Sequence, residues 1–437
     1  MKRCIRALTI LILLTAIGVK PVKAQNRYIV QTGGGLSSVL NFCSILGCQV
    51  QGALDGSLGQ TYLVTSTTNL LSGTLTLLEG LLGIKSIEKD LLVPIVVHPI
   101  TSIPSGLYDT APVNYDGSVA IHGYAAQPAA QIIRLSDAQR GFDISGTGIV
   151  AVIDTGVDTT HPMLRPVLLS GYDFTRNQPG ASEWLDVPQL HGGATNSSQD
   201  RDPVIVQQSS AAILDQSSAA ILDGGPYSAF GHGTMTCGLV HLVAPTTKIL
   251  PLKAFASNGS GYLSNIVAAL YYAVSHNANI VNMSFDMSTP SAALTQAASY
   301  ANQKGIVLVA AAGNESTSAP VYPAALDGKV AGIASTSDYD SRSSFSNYGS
   351  TDVWIAAPGE YIISTFPGGT YGSASGTSFS SPLVAGAAAL LLSAKPGLNQ
   401  SNAANALSHA VQLTPDLNHG RLDVYQATSA WVNGSSH

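Results

Sequence analysis

The chain has 437 residues, of which 45% are hydrophobic and only 11% charged, and its formal charge is −6. That apolar content excludes a disordered chain and is ample for a large core. The negative balance excludes a general affinity for phosphate backbones, so no nucleic-acid partner is expected.

Residues 1–24 read as a secretory signal peptide. Lys2, Arg3 and Arg6 precede a mostly apolar stretch from Ala7 to Val19, and a cut after Ala24 suits the small residue there. The stretch is shorter than the ~18 residues that span a bilayer. An extracellular protein with no membrane anchor is therefore expected. Export removes five basic residues and no acid, which takes the charge from −6 to −11. Of the cysteines that remain, Cys43 and Cys48 are close enough to pair, and Cys237 is left over. The spacing alone leaves that pairing open. The histidines include no His-Glu-x-x-His and the cysteines no Cys-x-x-Cys, so no metal site is expected.

Residues 25–98 read as a small α+β unit. Its strands are predicted at Arg27–Val30, Gln60–Val64 and Leu91–Val97, with a helix at Leu75–Leu82. Residues 99–122, rich in proline, glycine and serine, read as an exposed linker open to proteolysis. From residue 123 to 437 the pattern is that of one larger domain. Strands are predicted at Ile149–Ile153, Lys248–Phe255, Ile280–Ser284, Ile306–Ala312 and Lys329–Ala334, and helices at Leu263–His276 and Ala292–Gln303. Such alternation predicts an α/β fold, a mostly parallel sheet with helices on both faces and sites at the carboxyl ends of its strands. Residues 171–228 interrupt the rhythm with a polar insertion. Within it Gln208–Asp215 repeats at once as Gln216–Asp223, which reads as a surface loop extended by duplication.

Four element ends carry unusual polar residues. The strand Ile149–Ile153 runs into Asp154-Thr155-Gly156, and Gly231-His232-Gly233-Thr234 precedes a helical stretch to Val243. The strand ending at Ala312 leads into Gly313-Asn314, and Gly376-Thr377-Ser378 opens an alanine-rich helix, Leu383 to Leu392, with Pro382 suited to its first turn. Singly, each is more often a cap or a loop residue. Together they meet the needs of a serine nucleophile. The hydroxyl requires a base, imidazole can serve as one, and a carboxylate fixes the imidazole tautomer. An amide such as Asn314, with the Ser378 N–H at a helix start, can hold an oxyanion.

These segments resemble the three signatures of the subtilisin-like serine proteases, in the family's order: Val152-Ile153-Asp154-Thr155-Gly156, Gly231-His232-Gly233-Thr234, and Gly376-Thr377-Ser378-Phe379-Ser380-Ser381-Pro382. Ala311-Ala312-Gly313-Asn314-Glu315 matches the oxyanion asparagine motif, and residues 27–97 are similar to the family's inhibitory propeptide. The resemblance implies a secreted serine endopeptidase, made as an autoprocessed precursor, with polypeptide substrates and its own propeptide as partners. A monomer is expected. Catalysis would rest on Asp154, His232, Ser378 and Asn314. Substrate would lie as an added strand between Gly259-Ser260-Gly261 and Ser284-Phe285-Asp286, with Ala311-Ala312-Gly313 as the opposite pocket wall.

The chain departs from the family at several positions. Asp286 and Met287 stand where Gly-Gly is usual, and Asp286 reads either as a solvent-facing loop acid, the commoner case, or as a charge at the pocket mouth favouring basic side chains. Val321 replaces a glycine at the pocket base and predicts a shallower pocket. Met163 stands where relatives carry a calcium-binding Asp, and a thioether offers no hard oxygen. The nearby acids Asp200, Asp202, Asp215 and Asp223 form no clear calcium motif, so no cofactor is required for catalysis and structural calcium lacks a clear site. Cys237 reads as a small buried hydrophobe, with oxidant or mercurial sensitivity as the alternative. Two other enzyme classes fit poorly. Ser378-Phe379-Ser380 lacks the last glycine of a hydrolase nucleophile elbow. Gly146-Thr147-Gly148 precedes its strand, where a dinucleotide loop would follow it. A catalytically silent binding protein of the same fold is the remaining alternative.

Overall fold

The computed structural model describes residues 25–71, 82–95, 102–187 and 227–434. The signal-peptide reading, most of the Leu75–Leu82 helix, the duplicated octapeptide and Asp200, Asp202, Asp215 and Asp223 fall outside these residues.

The core is an eight-stranded sheet in the order Gln178–Pro179, Tyr172–Asp173, Lys248–Lys253, Ile149–Asp154, Ile280–Met283, Val307–Ala311, Ala331–Thr336 and Ile355–Pro358. All its strand pairs are parallel except the first, an antiparallel edge. Strand alternation divides the apolar residues between two faces. Val150 and Val152 pack with the helices His232–Val243 and Thr377–Ala394. Ala151 and Ile153 point the other way, into the helices Leu263–Ser275 and Ala292–Gln303. The α/β fold, parallel with helices on both faces, is as expected from the strand–helix rhythm.

Residues 26–95 form a separate four-stranded antiparallel sheet, ordered Cys48–Ala53, Thr61–Ser66, Asn26–Thr32 and Ile84–Lys89, covered by the helix Gly35–Leu46. Tyr28, Val30, Val39, Phe42 and Val64 fill its core, and a Cys43–Cys48 disulfide ties the helix end to the next strand. Ile29 faces outward and joins the core beneath Leu263–Ser275 and Ala292–Gln303.

The exposed-linker reading of residues 99–122 needs correction over its described part. A 3₁₀ turn at Ser105–Tyr108 and a hairpin of Pro112–Tyr115 with Ser118–Ile121 pack on the large domain, and Leu107 is fully buried in its core. The proline and glycine pattern marked tight turns rather than a free tether.

The helix that carries Ser378 also differs from expectation. It begins at Thr377, so Ser378 lies inside its first turn and Pro382 lies inside the helix. Proline lacks the N–H that would bond the Ser378 carbonyl one turn back. Ser284 Oγ supplies the missing donor, at 2.8 Å from Ser378 O.

Candidate active site

The acid, base and hydroxyl meet at the carboxyl ends of the central strands, where parallel sheets place their sites. Asp154 is the last residue of its strand and is buried. His232 is the first residue of its helix, and its Nδ1 lies 2.7 Å from Asp154 Oδ1. Two further donors hold the carboxylate: Thr155 N–H to Oδ1 at 2.7 Å and Thr236 O–H to Oδ2 at 3.1 Å. These bonds fix which imidazole nitrogen faces the acid. The other nitrogen, Nε2, is buried with no hydrogen-bond partner among the described residues. The His232 ring lies 5.3 Å from that of Phe379, the neighbour of Ser378. Ser378 Oγ donates to Ser284 O at 3.2 Å, so the hydroxyl is turned from the imidazole in this resting arrangement. Catalytic hydrogen bonds commonly tighten only with substrate bound.

Glycines make the close approaches possible. Gly231, with φ +90°, turns the chain into the helix against Phe366, and a side chain on Gly233 would strike the Gly156 carbonyl. Asn314 follows the strand Val307–Ala311, with Ala311, Ala312 and Gly313 buried before it. Its Oδ1 accepts from Thr377 N at 2.9 Å and from Thr377 Oγ at 3.1 Å. Because an N–H needs an acceptor there, the amide orientation is set, and Nδ2 is the donor end of the amide.

The segments expected to flank substrate also sit at this edge. Ser260–Tyr262 forms a short antiparallel ladder with Leu92–Pro94 of the N-terminal unit, Gly261 opposite Val93, and Gly259 O accepts from Ile95 N at 2.7 Å. Phe285, expected to flank substrate, instead sends its side chain into the core against Phe255, with ring centroids 5.1 Å apart. Only its backbone is left to face the cleft. Asp286 is not a solvent-facing loop acid, for it is 9% exposed. Val321 is buried, and its N–H donates to Asp352 Oδ1 at 3.1 Å. Met163 packs in the core. Cys237 is fully buried within the His232 helix, and burial pushes its thiol well above the ordinary range.

Sequence reasoning missed a buried ionic support. Glu183 is enclosed, and its carboxylate brackets His232: it accepts from Gly231 N on one side, and from Thr234 N at 2.7 Å and Thr234 Oγ at 3.0 Å on the other. It thereby caps a helix whose own N-cap is a glycine. Burial pushes its carboxyl up to about 7, although Lys253 pulls it down. Lys253 stands opposite Asp154 in the sheet, and its Nζ donates to Thr155 O at 2.6 Å, Phe255 O at 2.7 Å and Asp186 Oδ2 at 2.7 Å. A lysine directly following the apolar run Ile249–Leu252 was the available signal, since Lys is almost never fully buried unless paired.

Comparison with known proteins identifies the family. Residues 146–426 match the model of the subtilase family. The chain belongs to the subtilase family. It is 35% identical over 288 residues to a thermophilic serine proteinase of Bacillus sp. (strain AK1), covering 64% of this chain and 61% of that protein. It is 33% identical over 291 residues to thermitase of Thermoactinomyces vulgaris, covering 64% of this chain and 85% of thermitase. Among solved structures, a cold adapted subtilisin-like serine proteinase aligns with TM-score 0.50 and 29% identity over 64% of this subtilase and 90% of that chain. The aligned region begins near the strand that ends in Asp154 and leaves the N-terminal sheet outside the family match.

Proposed function

We propose that this subtilase is a secreted serine endopeptidase that cleaves polypeptides and is made as a precursor. The observation that carries the reading is the buried Asp154–His232 pair at 2.7 Å, its Nε2 without a partner, beside the first turn that holds Ser378. In this scheme Ser378 turns from Ser284 O and attacks the substrate carbonyl carbon. His232 Nε2 takes the hydroxyl proton and passes it to the leaving amine. Asp154 holds the imidazole tautomer and stabilises the imidazolium. Asn314 Nδ2 and the Ser378 N–H donate to the oxyanion. Water then repeats the sequence on the acyl-enzyme.

Residues 25–98 act in this reading as an inhibitory propeptide. The ladder of Leu92–Pro94 on Ser260–Tyr262 supports it, since an extended segment there fills the place of a substrate strand. Two carboxylates of the same unit cap catalytic-domain helices. Glu88 accepts from Ala293 N at 2.8 Å and from Ser291 Oγ at 3.1 Å, and Asp90 accepts from Ser264 N and Ser264 Oγ, both at 2.8 Å. Processing would fall C-terminal to Ile95, whose N–H continues the ladder.

A fluorophosphonate probe tests the reading. Secreted, processed parent should label, and Ser378→Ala should not. Processed parent that stays unlabelled would favour a silent binding protein instead.

A further inference from the structure

Asp286 is a buried carboxylate that the scheme above leaves without a task. It accepts no hydrogen bond from a described residue, and the charges that bear on it are both negative, Glu315 and Asp352. Burial, then those two acids, push its carboxyl up to about 7. An acid enclosed to this degree, with two further acids as its charged neighbours, favours either the protonated form or a cation beside it.

The backbone fixes where this group points. Phe285 and Met287 both enter the core under Leu263–Ser275 and Ala292–Gln303. Successive side chains of an extended segment alternate, so Asp286 faces away from that core. Ser284 shares its side, and Ser284 Oγ meets Ser378 O at 2.8 Å and Ser381 Oγ at 3.1 Å. Asp286 is therefore on the nucleophile's side of the segment.

Two other acids act on Asp286 from neighbouring segments. Met287 and Tyr322 exchange two backbone hydrogen bonds of 2.8 Å, which draws Val321 alongside. Asp352 stands behind Val321, and its Oδ2 is buried without a hydrogen-bond partner. Burial pushes that carboxyl up to about 6. Across the cleft, Glu315 lies against Gly313, where an added Cβ would fall 2.7 Å from Glu315 Oε2.

We propose that Asp286 makes this site select peptides with Lys or Arg on the acyl side of the scissile bond, the substrate's ammonium or guanidinium supplying the absent counter-ion. The inference rests on the peptidase reading above. Glu315 and Asp352 deepen the negative field but do not themselves meet the substrate. Binding of a cationic side chain ionises Asp286, whose proton leaves to solvent.

The test uses peptide substrates identical except for Lys, Arg, Leu or Phe at that position. In Asp286→Asn the Lys-to-Leu ratio of kcat/KM should fall about 10²-fold, whatever common change the substitution makes to both substrates. In parent the ratio should rise as pH passes about 7, the value to which Asp286 is pushed, and in the variant it should be flat. Any pH effect common to the two substrates cancels from the ratio. Glu315→Gln should lower the ratio by roughly threefold to tenfold as one negative charge is lost, whereas any change in the hydrogen bonds Glu315 accepts from Asn314 N and Asn347 Nδ2 acts on both substrates and leaves the ratio alone. A ratio unmoved by Asp286→Asn, or flat with pH in parent, overturns the inference. Should Asp286→Asn not fold, Asp286→Gly and the parent pH series still decide. Fluorophosphonate labelling separates the two layers. Labelled enzyme with an unmoved ratio fails the selectivity inference alone, whereas unlabelled enzyme fails the peptidase reading.

Discussion

Replacing Glu183 by Gln should leave the chain more stable in mild alkali and less active. In the folded protein burial moves this acid from its ordinary 4.5 to about 7. Below 4.5 the group is protonated whether the chain is folded or not, and it contributes nothing to the pH dependence. Between 4.5 and about 7 the folded state holds the proton more tightly, so stability falls as pH rises. Above 7 the full difference has been lost. At roughly 1.4 kcal/mol per pH unit, the whole interval is worth about 3.5 kcal/mol. Gln cannot ionise and escapes that loss. In a Ser378→Ala background, where self-digestion cannot intrude, guanidinium unfolding should show the Gln-minus-Glu difference moving in favour of Gln by about 2–3 kcal/mol between pH 5 and pH 8. Activity should move the other way. The amide turns an N–H toward Gly231 or Thr234, the two donors that bracket His232. We expect kcat to fall about tenfold with KM little changed, the loss of one buried hydrogen bond at the base. A stability difference constant within about 1 kcal/mol across that pH range would refute the claim that Glu183 titrates inside the fold.

Three further outcomes follow from the geometry. Asn314→Ala should lower kcat by about 10²–10³-fold with little change in KM, read with a soluble peptide substrate. In the separately made segment 25–98, Glu88→Gln combined with Asp90→Asn should weaken inhibition of the mature enzyme by about 10–100-fold, because two helix caps worth ~1 kcal/mol or more each are lost; an unchanged inhibition constant counts against those contacts. Cys237 should resist an aqueous mercurial in the native enzyme and react only as fast as the fold opens, since its thiol is enclosed and held protonated. Inactivation within seconds would contradict that burial.

The chemistry-bearing residues were legible because each sits in a short local signature. Asp154 ends an apolar strand, His232 is flanked by glycines and Ser378 opens an apolar helix. Their support was not legible, because it arrives from far along the chain. Glu183 lies 48 residues before Gly231, on the far side of a polar stretch that shows no periodicity. The Ser378 helix was placed too late because proline usually marks a first turn. Only the tertiary bond from Ser284 to the Ser378 carbonyl makes an interior proline tolerable. The helix Gly35–Leu46 escaped notice between Gly33-Gly34-Gly35 and Gly47, although Leu36, Val39, Leu40, Cys43 and Leu46 carry helical spacing. Asp286 shows the opposite limit. Its identity was plain, but only the alternation from Phe285 to Met287 reveals which way it faces.

Strand alternation also explains how the proposed propeptide can inhibit with so short a strand. Ile29 and Val93 share a core with the helices Leu263–Ser275 and Ala292–Gln303, on the sheet face opposite the two helices that carry His232 and Ser378. Leu92–Pro94 covers only three residues of the cleft edge, and so short a ladder binds weakly alone. Its hold must come from the other face, through Ile29 in the apolar contact and through the Glu88 and Asp90 caps. Affinity and blockade are thus separable on this surface. The cap substitutions should release inhibition without changing the site, while a change in the Leu92–Pro94 ladder should redirect the strand without undocking the unit.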